Sequence, residues 1–208
     1  MKNPFDVVDE FESTIAQYSG SKYAVAIDCC TNAIFLCLKY INKPQTLTIP
    51  SYTYVGVPCS IRNAGYFVNF ENDEWEGTYK LKPLCVTDGA LRFKKQMYEG
   101  GLHCLSFHIK KHLKIGRGGM ILTDDIKARD WLRLARFNGR NPVPHSADTF
   151  KMIGWNYYMT NSDAARGLWL LSGINESEPL VDIPVNYPDL SIYNFNSCEP
   201  GQNLEKIS

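Results

Sequence analysis

Three lysines, one arginine and three glycines crowd the stretch SFHIKKHLKIGRGG at residues 106–119, behind a short apolar run. A lysine amine becomes a nucleophile or proton carrier only where burial or neighbouring cations disfavour its charged form. Lys110 and Lys114 read as a solvated loop surface, and one position in the cluster could be buried among its cationic neighbours. Ser106 ends a strand five residues before Lys111. The GRGG at 116–119 precedes a strand, whereas a dinucleotide fingerprint places its glycines after a strand and before a helix. P-loop spacing is also missing. These glycines instead allow a tight backbone turn beside a bulky ligand.

Two other strand ends carry polar groups. In DCCTNA (28–33), Thr31 and Asn32 fall at a helix N-terminus, where free N–H groups and the helix dipole form an anion site. A plain Thr or Asn cap accounts for the same residues. Asp88, in VTDGA, is either the start of an Asp-Gly turn or a carboxylate aimed into the crevice where open α/β sheets bind ligands.

The elements that would position these groups alternate. Phe5 to Tyr18 has helical spacing and stops at Gly20; YAVAI (23–27) reads as a strand, and NAIFLCLKYI as a helix ending before Pro44. TLTIP (46–50) is a short strand, YVGVPCSIRNAG a kinked helix, and YFVNF (66–70) another strand. LCVTD (84–88), HCLSF (103–107) and MILTD (120–124) follow, then a helix from Asp125 to Phe137 opened by aspartates. Continuous apolar runs suit strands buried on both faces, as in a parallel sheet. The fold class predicted is therefore α/β, a mostly parallel sheet flanked by helices. Beyond Gly173 the text turns rich in Pro, Asn and Ser, which predicts one domain over 1–173 and a wrapped tail over 174–208.

Bulk properties narrow the function classes. A chain of 208 residues can bury a substantial core. The formal net charge is zero, but Arg92 to Arg140 holds 12 Lys/Arg against 4 Asp/Glu. That excess could meet a phosphate-bearing small ligand; no stacked-aromatic platform or zinc pattern supports a nucleic-acid partner. No apolar run reaches the roughly 20 residues of a membrane span, and no secretory h-region opens the chain. The seven cysteines include no CxxC and no metal-binding quartet, so no metal is expected. Most sit in apolar runs as reduced thiols do, and the expected location is cytoplasmic.

Three ordered pieces, SFHIKKHLKIGRGGMILTDD, IPSYTYVGVP and IGWNYYMTNSDAARGLWLL, resemble the DegT-type sugar aminotransferases, pyridoxal-phosphate enzymes of the aspartate aminotransferase fold. The resemblance runs from about residue 4 to residue 172. It implies that Lys111, a fixed step after SFH, forms the internal aldimine, a Schiff base with pyridoxal 5'-phosphate. Thr31, the backbone around Asn32 and Ser106 match the phosphate positions. Tyr54 matches the aromatic that stacks on the pyridine ring, and Asp88 the carboxylate paired with the ring nitrogen. Asn156 matches an asparagine that reaches the neighbouring subunit's phosphate, which implies a homodimer with shared active sites.

The chain departs from the family pattern at several points. CCT replaces the usual SGT turn, DGAL replaces DAAQ with Leu91 at the glutamine position, and Arg117 replaces the acid of GEGG. Only ENDEWEGTYKLKP spans the region before the Asp strand, and the expected C-terminal domain is much reduced. The resemblance implies transfer of an amino group, with glutamate the expected donor, to a keto group on a nucleotide-linked sugar. Two alternatives stay open: a protein that keeps the fold and binds cofactor or partner without turnover, and another pyridoxal-phosphate reaction such as sugar dehydration. Dehydratase relatives carry histidine in place of the lysine, so Lys111 favours transamination.

Overall fold

The acidic and apolar residues after Phe5 wind into α1 (Asp6–Ser19), which buries Val8, Phe11, Ile15 and Ala16. It ends where expected, at Gly20 with φ 85°, whose N–H returns to the Ala16 carbonyl. A computed structural model describes residues 3–175 and 180–207. The order continues β1 (Tyr23–Ile27), α2 (Cys30–Ile41), β2 (Thr46–Pro50), α3 (Gly56–Asn63), β3 (Phe67–Glu71) and β4 (Tyr79–Lys80). Then come β5 (Val86–Asp88), β6 (Leu102–Ser106), β7 (Gly119–Thr123), α4 (Ile126–Ala135) and α5 (Asn161–Ser172). Asp125 caps α4 by accepting the Lys127 N–H at 2.8 Å. Thr160 caps α5 by accepting from Asp163 at 3.2 Å.

The α/β class holds, but the expected parallel sheet does not. The main sheet runs β1-β7-β6-β5-β4. The β1–β7, β7–β6 and β5–β4 pairings are antiparallel, and β6–β5 is parallel. β2 and β3 form a separate parallel pair. The reason lies in the connections. The lysine- and glycine-rich loop 107–118 returns the chain directly from β6 to β7, and a direct return makes antiparallel neighbours, whereas parallel ones need a crossover.

Burial on both faces was nevertheless read correctly. Val25, Ile27, Cys104 and Ile121 enter one apolar cluster with Ile34, Leu36 and Leu38 of α2. Their sequence neighbours Ala24, Ala26, Leu105, Met120 and Leu122 enter the other, with Phe11 and Ile15 of α1. Alternate residues thus feed opposite cores, the period-2 rule of a strand, and apolar demand on both sides leaves the run unbroken.

A buried ion pair ties α1 to α4 across β1. The guanidinium Nη1 of Arg136 donates to Glu12 Oε1 and, at 2.5 Å, to the Ala26 carbonyl. Glu12 Oε1 also accepts the Ala26 N–H at 2.8 Å. Both side chains are buried. Removing one partner strands a charge in the interior, which costs about 3–5 kcal/mol. Arg136→Met is therefore expected to lower unfolding free energy by that amount in urea titrations, and a loss under 1 kcal/mol would show that the pair is not anchoring the helices.

Candidate active site

Strand ends and one helix start converge in one region of the fold. β5 ends on Asp88 and β6 on Ser106, and α2 opens immediately after Cys29. Ser106 pairs with Gly119 at the start of β7. A Cβ on Gly119 would lie 2.6 Å from the Cys29 carbonyl carbon, so only glycine lets this strand rest on the turn that enters α2. That contact brings Ser106 beside the helix N-terminus.

The α2 terminus carries no acidic residue in its first turn, and its nearest carboxylate in sequence, Asp28, sits just before the cap. Neither Thr31 nor Asn32 is the cap. Cys29 is, its Sγ accepting the Asn32 N–H at 3.4 Å. The Asn32 amide donates to Asp28 Oδ1 at 2.8 Å, and Arg117 donates to Asp28 Oδ2 at 2.7 Å. Thr31 and Tyr54 meet at Gly56, where a Cβ would lie 2.6 Å from the Tyr54 ring and 3.0 Å from Thr31 Oγ1. Tyr54 itself is 53% exposed.

Asp88 is buried and fully engaged. Its Oδ2 accepts from the Tyr79 hydroxyl at 3.0 Å and its Oδ1 from the Ala90 N–H at 2.9 Å, with the Cys30 thiol 3.9 Å from Oδ1. Because Tyr79 gives its proton to Asp88, the Thr53 hydroxyl donates to Tyr79 across 2.6 Å. Burial pushes the Asp88 carboxyl above its ordinary range, while the Ala90 and Tyr79 hydrogen bonds and the Lys111 charge pull it back.

Of the three loop lysines, the structure singles out Lys111. Lys110 and Lys114 are exposed and Lys111 is half-buried, in a turn where its N–H bonds the His108 carbonyl at 2.8 Å. Burial lowers the amine from its ordinary range, against the opposing pull of Asp88 and Cys30. Lowering of this kind favours the neutral amine, the form that can act as nucleophile or accept a proton. His112 next door is committed elsewhere, its Nε2 standing 2.7 Å from the Val181 carbonyl.

Asn156 is not gathered with this group. It is exposed on a segment that pairs with Phe137 and lies alongside the end of β1, where Asp28 donates to the Tyr157 carbonyl. The basic block has a different fate from the one its charge suggested. Arg92, Arg117, Arg129, Arg133, Arg136 and Arg140 each pair with a carboxylate, while Lys110 and Lys114 stay exposed. Sequence reasoning missed Tyr79, Thr53 and the Cys30 thiol. Tyr79 sits on a two-residue strand in register with Asp88, too short to show any period.

Among the described residues, no group of three His, Cys, Asp or Glu side chains could hold a metal ion, and no helix is long and apolar enough to cross a membrane. All seven cysteines are free thiols.

Comparisons with known proteins identify the family and the fold. The model of the DegT/DnrJ/EryC1/StrS aminotransferase family matches residues 2–87 and 92–178. The break falls on 88–91, so the reading of Asp88 rests on its geometry. A GDP-perosamine synthase from Caulobacter vibrioides is 28% identical over 212 residues, covering 80% of this chain and 57% of the relative. Another, from Escherichia coli O157:H7, is 23% identical, covering 91% and 63%. The chain thus spans about three-fifths of the length of these curated relatives. Among solved structures, the sugar aminotransferase CalS13 from Micromonospora echinospora superposes with a TM-score of 0.68 at 19% identity, over 80% of this chain and 60% of that one. Helicobacter pylori PseC, an aminotransferase involved in the biosynthesis of pseudoaminic acid, gives 0.65 at 17% identity, over 83% and 63%. These two likenesses establish the fold.

Two outcomes follow from the residue after Asp88. A Cβ on Gly89 would lie 2.2 Å from His103 Nε2, and His103 is buried in β6 with that nitrogen lacking a hydrogen-bond partner among the described residues. Gly89→Ala should cost about 1–3 kcal/mol by overpacking. Adding His103→Ala should recover most of that loss, and additive losses in a double-mutant cycle would refute the contact. Burial also holds the His103 imidazole at about 4 against an ordinary 6.5. The unfolded chain therefore takes up this proton first as pH falls, and stability drops between those two values. Denaturation midpoints of His103→Ala should fall less steeply across that window than those of the parent.

Proposed function

Since the chain belongs to the DegT/DnrJ/EryC1/StrS aminotransferase family, we propose that it binds pyridoxal phosphate and moves an amino group from an amino acid to a keto group on a nucleotide-linked sugar. The observation that carries this reading is the half-buried amine of Lys111 within reach of the charge of the buried Asp88. The residues present fit the cofactor. The N-terminus of α2, with Thr31, Asn32 and the Ser106 hydroxyl, would hold the phosphate, and the exposed Tyr54 would take the ring. Asp88 would pair with the ring nitrogen, and Lys111 would meet the aldehyde. When bound, the cofactor supplies an electron sink for a substrate carbanion.

The chain's own residues supply the rest. Tyr79, the Ala90 N–H and the Cys30 thiol hold Asp88 in one orientation, so it can keep a proton on a ring nitrogen without turning away. Lys111, whose amine is lowered from its ordinary range by burial, would meet the cofactor's aldehyde and, when free of it, would hold and move a proton at Nζ as general base and acid. Glutamate is the proposed donor. Residues 1–173 form the proposed cofactor-binding unit, and the proposed assembly is a homodimer in which Asn156 faces the partner's phosphate. Exposure of Asn156, away from Lys111 and Asp88, supports that placement.

Protein incubated with pyridoxal phosphate, reduced with borohydride and digested is expected to carry the added mass on Lys111. Lys110→Ala should keep the adduct and Lys111→Ala should lose it; the reverse pattern would overturn the assignment. Addition of glutamate without acceptor should release no more than one equivalent of 2-oxoglutarate per site. Cofactor bound without any release would favour a binding protein that does not turn over.

A further inference from the structure

The family match stops at residue 178, yet the chain beyond it is fastened across the candidate site. The Val181 carbonyl meets His112 Nε2, one residue from Lys111, at 2.7 Å. The Asp182 carboxylate takes both its oxygens to Arg92 Nε, at 3.0 and 3.1 Å, and also binds Lys94 at 3.3 Å. The Ile183 N–H donates to the Leu91 carbonyl at 3.0 Å, just past Asp88. At the other end, the Leu190 N–H donates to the Ser51 carbonyl at 2.9 Å, and Asp189 pairs with Tyr52, just before Tyr54. Leu190 itself is buried. Residues 183–190 therefore run from the segment just past Asp88 to the segment just before Tyr54.

Tyr187 lies midway along this strap. Its ring centroid is 6.3 Å from that of Tyr54, with the planes at 49°. A planar ring held between two aromatic faces needs about 7 Å, two contacts of about 3.5 Å each, and parallel walls. The observed spacing and tilt leave no such slot. Tyr187 is half-buried and its hydroxyl is held up at about 12, by burial first and then by the charge of Asp88, so it stays a neutral phenol.

We propose that the strap 181–190 is an intrasteric gate, in which Tyr187 occupies the place between Tyr54 and Asp88 that a cofactor ring would take. This rests on the cofactor reading given above. Loading then requires the strap to leave, and the apparent affinity falls by the fraction of molecules in which it has left. One of its fastenings, Asp182 on Arg92 and Lys94, lies outside the residues assigned to cofactor, so the gate can be loosened without touching them.

The test compares pyridoxal phosphate binding to wild-type protein, Tyr187→Ala and Asp182→Asn by absorbance titration, with hydrogen exchange of residues 181–190 measured with and without cofactor. Both variants are expected to bind about ten-fold more tightly, and cofactor should speed exchange in the wild-type strap. Equal affinity in all three proteins, or a strap protected by cofactor, would overturn the gate while leaving the cofactor reading intact. Binding to none of the three would overturn both. Asp182→Asn keeps every group near Tyr54 and Asp88, so a folding defect peculiar to Tyr187→Ala would not obscure the result.

Discussion

A carboxylate at the end of a buried strand has to be met by donors, and Asp88 organises its surroundings through that need. Burying an unsatisfied charge costs far more than a typical hydrogen bond returns. The Tyr79 hydroxyl and Ala90 N–H meet the requirement, and each has a structural consequence. Tyr79 can reach Asp88 only because β4 pairs antiparallel with β5 in the register that sets Tyr79 opposite Asp88. Its own oxygen then needs a donor, and Thr53 supplies one. The segment bearing Tyr54 is thereby fixed relative to the acid, and the crevice acquires two rigid walls. Lys111 stands on a third element, the β6–β7 loop, near enough for the two charges to offset each other's burial.

Much of this was legible in the sequence, and what was not legible had a common cause. Helix limits, strand cores and the exposure of Lys110 and Lys114 follow from local spacing and capping, and they were read closely. The distinction of Lys111 came from its step after SFH, and its partial burial agrees. Strand direction was misread because an apolar run reports burial on two faces and says nothing about which way the chain travels. Alternate residues of β1 and β7 serve separate cores, a demand that antiparallel strands meet equally well. Cys29 was not expected as the α2 cap because sulfur is a poor acceptor beside the oxygens of Thr or Asn.

Long-range polar partners were the least visible. Arg136 finds Glu12 and Arg133 finds Asp9 across 124 positions, and Arg92 finds Asp182 across 90. No local pattern records such pairings, so a block with 12 cations looked like a ligand-facing surface. Folding spends those guanidinium groups on tying α4 and the strap to the body. An exposed ion pair contributes little to stability. The Glu12–Arg136 pair is different because its burial makes geometry obligatory and its loss severe.

That expenditure constrains what the crevice can recognise. Lys111, Asp88, Ser106, Tyr54 and the α2 terminus all fall between residues 29 and 111, so the groups suited to a phosphate-bearing aromatic aldehyde lie inside a single short span of chain. Groups suited to a sugar nucleotide are harder to find there, because the arginines that could meet a diphosphate already hold carboxylates. Arg117 shows the point most directly. It stands at the phosphate turn, yet Asp28 takes its charge, and Asp28 is itself shared with Asn32. A diphosphate arriving at this turn would have to displace an internal carboxylate, whereas one arriving at the opposite wall would meet the strap that carries Tyr187. On the proposed reading, an acceptor's diphosphate would therefore meet ion pairs already made, whereas a cofactor phosphate would meet the N-terminus of α2 and the Ser106 hydroxyl.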